Sequence, residues 1–161
     1  MNNPGRLMLS ELISPAHVQL DLTSPNTDAV LNDLVSQIPQ IANEPQARQA
    51  LLRALQERER LHSTGIGDGV ALPHARNVLP GLVDRPVIVF ARHGKGVEYG
   101  AIDGQPARLF FLLLAPSVTE HLAVLARISR VLRDAKLRQD LLTADSGKKV
   151  VALIRDAEMK L

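Results

Sequence analysis

The run Leu109-Phe110-Phe111-Leu112-Leu113-Leu114-Ala115 constrains this chain more than any other segment. Seven consecutive apolar residues with no polar alternation do not suit a strand with one wet face. The run is far shorter than the ~20 apolar residues that a membrane-spanning helix needs. It fits a central strand covered on both faces, which demands a layer on each side. Segments of helical periodicity lie before and after it, with further strands interspersed. The expected fold class is therefore α/β: an α/β/α sandwich with a small mixed β-sheet flanked by helices. Reverse turns near Gly81 and across Gly94–Gly104 make the sheet mixed rather than purely parallel.

The layers can be read along the chain. Leu9 to Leu22 reads as a turn of helix and then a strand in which Val18, Leu20 and Leu22 alternate. Asn26 or Thr27 caps a helix carrying Val30, Leu31, Leu34, Val35 and Ile38, which Pro39 ends or kinks. A second helix starts near Glu44-Pro45, with proline in the tolerated first turn, and runs out around Arg60. Ala47, Ala50, Leu51, Ala54 and Leu55 form its apolar stripe. A strand is expected over Val87–Arg92, followed by a loop holding Gly94, Gly96, Gly100 and Gly104. Ser117-Val118-Thr119-Glu120 reads as a capping box, with Glu120 reaching back. The helix behind it presents Leu122, Leu125, Ile128, Val131 and Leu132, and shorter helices follow near Lys136–Leu142 and Ser146–Ala157. Residues 1–8 are expected to be a loose leader, and 9–161 a single domain.

Composition removes several function classes. The chain has no cysteine, which excludes a disulfide scaffold, a thiol nucleophile and any thiolate zinc site. Its 19 basic and 17 acidic residues are interleaved, as in Glu57-Arg58-Glu59-Arg60, so no basic face marks a nucleic-acid binder. Tyr99, Phe90, Phe110 and Phe111 are its only aromatic residues, too few for a base-stacking platform. The polar start, Met1-Asn2-Asn3-Pro4-Gly5-Arg6, lacks the apolar stretch of a signal peptide. The expectation is a cytoplasmic protein with no nucleic-acid partner and no membrane insertion.

Five histidines could carry chemistry. His17, His62 and His93 read as solvated loop residues. His74 differs, because it follows Val70-Ala71-Leu72-Pro73, a short apolar stretch stiffened by proline, downstream of Gly65, Gly67 and Gly69. Glycines there can leave backbone amides open to an anion. On those residues alone, an ordinary strand-end histidine is still the simpler reading. His121 lies in the first turn of the helix after the buried strand, where ligands of open α/β sheets gather. Arg58, near the end of the second helix, either belongs to a solvated charged face or turns inward to grip phosphate. The glycine run is neither a dinucleotide fingerprint nor a nucleotide P-loop. No Gly-x-Ser-x-Gly elbow or His-Glu-x-x-His motif is present.

Arg58-Glu59 followed by Ser63-Thr64-Gly65-Ile66-Gly67-Asp68-Gly69-Val70-Ala71-Leu72-Pro73-His74-Ala75 closely resembles a known signature. It is that of the enzyme IIA domains of the phosphoenolpyruvate-dependent phosphotransferase system, fructose/mannitol type. Glu59, Ile66-Gly67, Val70 to His74 and Ala75 satisfy its fixed positions. The Ser-Thr-Gly-Ile-Gly run, the free-standing length and the absence of attached transporter domains look most like the nitrogen-regulatory branch. The resemblance implies a histidine phosphocarrier. His74 would be the phosphorylated nucleophile through Nε2, His121 a neighbouring stabiliser and Arg58 a phosphoryl-binding group. Ser63, Thr64, Gly65 and Gly67 would lie in the loop lining the site. It implies no cofactor, nucleotide or metal, an HPr-like phosphocarrier as donor, and regulatory targets such as kinases or transporters. A sugar-specific IIA passing phosphate to a IIB partner, a phosphate-free binding module and a two-histidine metalloenzyme are the alternatives. Ala75-Arg76 departs from the Gly-Lys common in nitrogen-regulatory relatives, with a bearing on partner choice.

Overall fold

A computed structural model describes residues 7–41, 43–77, 79 and 81–161. The expected leader falls mostly outside the described residues, and Leu7 already packs against the core. Among the described residues the elements run α1 (Leu9–Leu12), a 3-10 turn (Pro15–His17), β1 (Gln19–Leu22), α2 (Thr27–Val35), α3 (Pro45–Leu61), β2 (Gly65–Gly67) and β3 (Val70–Ala71). They continue with β4 (Val87–Val97), β5 (Ala107–Leu114), α4 (Val118–Val131), α5 (Ala135–Thr143) and α6 (Gly147–Glu158).

The five strands form one sheet in the order β1-β4-β5-β3-β2. β5 is its middle strand, as the apolar run requires. β4 and β5 pair antiparallel, and Phe90 sits opposite Phe111. β1 joins β4 and β3 joins β5 in parallel, while β2 and β3 are antiparallel, so the sheet is mixed. Successive β5 residues feed opposite layers. Leu109, Phe111 and Leu113 pack with α1, α4, α5 and α6, whereas Phe110, Leu112 and Leu114 pack with α2 and α3. This period of two is what splits one apolar run between two cores. The fold is the expected α/β/α sandwich.

Helix starts follow side-chain chemistry. Asn26, not Thr27, caps α2 by accepting from the Ala29 amide at 2.9 Å. Ser117 caps α4 by accepting from the Glu120 amide at 3.2 Å. Glu120 does reach back, but its carboxylate accepts from the Ser117 hydroxyl at 2.9 Å. α2 stops at Val35, ahead of Pro39, and Ile38 remains buried beyond the helix end.

Three expectations need correcting. Gly94 and Gly96 lie inside β4, not in a loop; the strand continues past Arg92 through a register shift and ends at Val97. The buried face of α4 is Val124, Ile128 and Val131, while Leu122 is exposed, because the helix turns that side to solvent. Ala50 of α3 is also exposed, and Leu51 and Leu55 alone are fully buried there.

At the other end of the chain a single carboxylate joins the termini of the fold. Glu158, buried near the end of α6, accepts from the Leu9 and Ser10 amides at 2.7 and 3.0 Å and from Arg127 Nε at 2.7 Å. It thereby satisfies orphan donors at the start of α1 and holds a buried charge against a partner.

Candidate functional site

The site is built around a very small hairpin. β2 and β3 are joined by the two residues Asp68 and Gly69, with Gly67 opposite Val70. Asp68 has φ +57° and Gly69 φ +77°. Two successive positive φ values define the tight hairpin turn whose twist suits antiparallel strands, and Asp-Gly is a preferred pair for it. The Asp103 carboxylate accepts from the Asp68 amide at 2.9 Å and steadies the turn.

From this hairpin the chain runs on beside the central strand. The Leu72 amide donates to the Thr64 carbonyl and the Leu113 amide to the Pro73 carbonyl, both at 3.0 Å. Leu72 is buried and Pro73 has a fixed φ, so the segment delivers His74 in one position. His74 Nδ1 lies 2.7 Å from the Leu72 carbonyl oxygen. A carbonyl can only accept, so Nδ1 carries the proton and donates it. In the neutral ring Nε2 then holds the lone pair.

The His121 ring centroid is 5.3 Å from that of His74, with the planes tilted by 58°. His121 stands in the first turn of α4, where its amide donates to the Ser117 carbonyl at 3.0 Å. Both imidazoles are held below the usual histidine pKa of 6.5. For His74 burial dominates and the Arg58 charge adds to it, while the Leu72 carbonyl and Glu59 pull the other way. For His121 burial leads and His74 contributes. The pair is consequently kept neutral near pH 7, which leaves Nε2 of His74 nucleophilic.

The sequence-predicted residues fall into place unevenly. Arg58 acts electrostatically on His74, and its guanidinium donates to the His62 carbonyl at 2.5 Å, across the end of its own helix. Ser63 donates to the Tyr99 carbonyl at 2.5 Å and accepts from the Gly65 amide at 3.0 Å. Thr64 is buried. Gly65 and Gly67 are the two ends of β2, so the glycine segment includes a strand.

Thr64 leads to residues whose roles the sequence did not suggest. Glu59 accepts from the Thr64 amide at 2.9 Å and from the Thr64 hydroxyl, and the Tyr99 hydroxyl donates to Glu59 at 2.9 Å. Burial, with the Glu59 charge beside it, pushes the Tyr99 phenol far above its ordinary range, so it stays protonated as a donor. The hydrogen bonds therefore run unbroken from Tyr99 to Glu59, Thr64, Leu72 and His74. Glu59 had a signal, since it occupies a fixed position of the motif. Tyr99 had none, being remote in sequence.

His62 is exposed and His17 half-buried, the latter bonded to the Ser14 hydroxyl at 2.8 Å. His93 is not a solvated loop residue. It is buried in β4, with Nε2 donating to the Ser24 carbonyl and Nδ1 accepting from the Gly96 amide, both at 3.0 Å. Among the described residues no three His, Asp or Glu side chains cluster as metal ligands, so the two-histidine metal reading gains no third ligand.

The model of the family "Phosphoenolpyruvate-dependent sugar phosphotransferase system, EIIA 2" matches residues 11–157. The chain belongs to this family. Among EIIA 2 relatives, the fructose-specific EIIABC component of Bacillus subtilis is 34% identical over 150 residues, covering 92% of this chain but only 23% of that protein. A nitrogen regulatory protein of Bradyrhizobium diazoefficiens is 31% identical over 148 residues, covering 91% of this chain and 94% of its own length. The crystal structure of the nitrogen regulatory protein IIA-Ntr from Neisseria meningitidis superposes with a TM-score of 0.79 at 29% identity, covering 92% of this chain and 99% of that one. No helix among the described residues of this EIIA 2 chain is long and apolar enough to cross a membrane.

Proposed function

We propose that this protein is a cytoplasmic histidine phosphocarrier of the nitrogen-regulatory phosphotransferase branch. The observation that carries the reading is the His74 ring: Nδ1 is committed to the Leu72 carbonyl, which leaves the lone pair on Nε2, and the ring stands 5.3 Å from that of His121. The donor is an HPr-like protein bearing a phosphohistidine. The Nε2 lone pair of His74 attacks phosphorus in line and forms the new P–N bond. The donor's P–N bond breaks, and its electron pair stays on the donor imidazole. The proton stays on Nδ1 of His74, donated to the Leu72 carbonyl, so the phosphorylated ring is an imidazolium, and the donor ring leaves as neutral imidazole because its other nitrogen carries a proton. Such a transfer needs mainly positioning and charge stabilisation. Arg58 and His121 supply the latter to the phosphoryl oxygens, since the Thr64, Gly65 and Asp68 amides are already bonded to Glu59, Ser63 and Asp103.

The added group brings about −1.5 to −2 charge to the surface around His74 and so changes which target proteins bind there. Similarity to a nitrogen regulatory protein along 94% of that protein's length supports the regulatory branch. The 34% identity to a fructose-specific component favours a second reading, a sugar-specific IIA that hands the phosphoryl group to a IIB partner. Reconstitution tests both. Phosphoenolpyruvate, enzyme I, a phosphocarrier and this protein are mixed, and intact mass is followed for wild type and His74→Ala. Gain of one acid-labile phosphoryl group, absent in the variant, is expected; no gain with several competent donors overturns the phosphocarrier reading. Onward transfer to an added IIB would select the sugar-specific one.

A further inference from the structure

The Asp68–Gly69 turn forms one wall of a cleft of about 410 Å³, separate in the chain from His74 by Val70 to Pro73. Its other walls are Pro106 and Arg108 at the start of β5 and Arg138 and Leu142 of α5. Charges in the cleft are unequally committed. Asp103 accepts from the Asp68 amide at 2.9 Å and from the Gln105 amide at 3.0 Å, which tie each of its oxygens to the backbone and hold it as a carboxylate. Arg138 donates to the Leu132 carbonyl at 2.7 Å, and its Nη2 stands 4.0 Å from the well-exposed Asp68 carboxylate, a loose pair. The Arg108 guanidinium has no hydrogen-bond or ion-pair partner among the described residues, and its Nε is buried.

Arg108 is nonetheless held in place. Its backbone amide donates to the Gly69 carbonyl at 2.8 Å. Its stem lies across Gly96, where a Cβ would come within 3.1 Å of Arg108 Cγ and 2.8 Å of Pro106 Cβ. Gly96 also has φ +89°, so no other residue fits there without strain. The chain thus leaves a bare position in β4 and seats an arginine stem on it. A buried N–H without an acceptor carries the full desolvation cost of the group. A guanidinium left without an acceptor in this way favours a planar carboxylate or a phosphate, gripped by two parallel N–H donors. The cleft's volume lies within the range of small-molecule sites, and Pro106 and Leu142 offer an apolar wall for a short carbon skeleton.

We propose that this cleft binds a small organic oxyanion, a carboxylate or a phosphate ester, with Arg108 as its principal anchor and Arg138 as a second donor. The site is distinct from the His74 centre and does not depend on the phosphocarrier reading. Because Arg108 and Leu109 both donate to the Gly69 carbonyl, an anion on Arg108 bears directly on the hairpin that leads to His74.

The test is an amide NMR titration of the full chain with succinate and, separately, glycerol 3-phosphate, against sodium chloride at matched ionic strength. Saturable shifts at Gly69, Leu109 and Arg138 are expected with at least one probe and not with chloride, and Arg108→Gln should weaken that binding at least tenfold. Whichever probe saturates identifies carboxylate or phosphate as the preferred headgroup. Arg138→Gln serves as the second variant if Arg108→Gln does not fold, with a several-fold weakening expected. Shifts that fail to saturate, that match those of chloride, that are confined to the surroundings of His74 and His121, or that persist unchanged in the folded variant overturn the proposal.

Discussion

His74 and His93 are both held by backbone atoms, yet they sit in opposite chemical states. His93 uses both nitrogens, donating from Nε2 to the Ser24 carbonyl and accepting at Nδ1 from the Gly96 amide. Its surroundings consume the whole ring, and it serves as a buried cross-link between the β1–α2 connection and the bent end of β4. His74 uses only Nδ1, its Nε2 has no hydrogen-bond partner among the described residues, and its ring stands beside that of His121. The tautomers are mirror images, and the difference lies in what faces the second nitrogen. A histidine becomes a nucleophile candidate when its environment fixes one nitrogen and withholds a donor from the other.

Paired substitutions break this comparison most sharply. His74→Ala should abolish phosphoryl acceptance in the reconstituted assay while the thermal melt changes little. His93→Ala should do the reverse. It should lower stability by about 2–4 kcal/mol in urea unfolding, through a cavity and two unpaired backbone groups, and leave acceptance intact in the folded fraction. If both variants lost acceptance equally while folded, the contrast would fail.

His121→Asn should come next. It removes the neighbouring imidazole and should slow acceptance by about tenfold to a hundredfold, corresponding to about 1.4–2.8 kcal/mol of barrier. Mass mapping should still place the phosphoryl group on His74. A smaller effect is expected from Tyr99→Phe, which deletes the hydrogen bond to Glu59. Acceptance should slow by less than about tenfold, and hydrogen exchange at the Thr64 amide should quicken, because the carboxylate that holds it is less well fixed.

The finest distinction is in pH. Burial lowers the His74 pKa below 6.5, so the neutral ring persists into mildly acidic solution. Acceptance should retain more than half of its neutral-pH rate at about pH 6.5 and be lost as pH drops through the lowered value. A rate profile measured on this protein, with donor phosphorylation saturated, should therefore have its acid midpoint below 6.5. A midpoint above 6.5 would contradict the burial argument.

Much of this arrangement is legible in the amino-acid sequence. The β5 run announces a doubly covered central strand because period-two exposure is absent from it. Asn26, Ser117 and Ser146 mark helix starts because a short side-chain oxygen is what an exposed amide there can bind. The motif around His74 is local, so its residues could be read together. What escaped was non-local or too short. β2 and β3 have three and two residues, below any periodic signal, although Asp68-Gly69 was itself a hairpin cue. His93 looked like the start of a polar loop, since nothing nearby reveals that Ser24 lies against it. Leu122 fits the helical spacing as well as Val124 does, and only the position of the sheet decides which face is buried. Tyr99 reaches Glu59 solely through the fold.

Glu158 has a consequence for how such a unit is used in larger proteins. One carboxylate clasps the first described helix to the last, so Leu9 and Glu158, near the two ends of the described fold, lie side by side. A module with that geometry can be spliced into a longer chain, or rejoined at its own ends and opened elsewhere, without stretching a connection across its body. The stretch similar to this chain covers 94% of the Bradyrhizobium nitrogen regulatory protein and 23% of the Bacillus fructose-specific EIIABC component, two very different lengths of surrounding polypeptide.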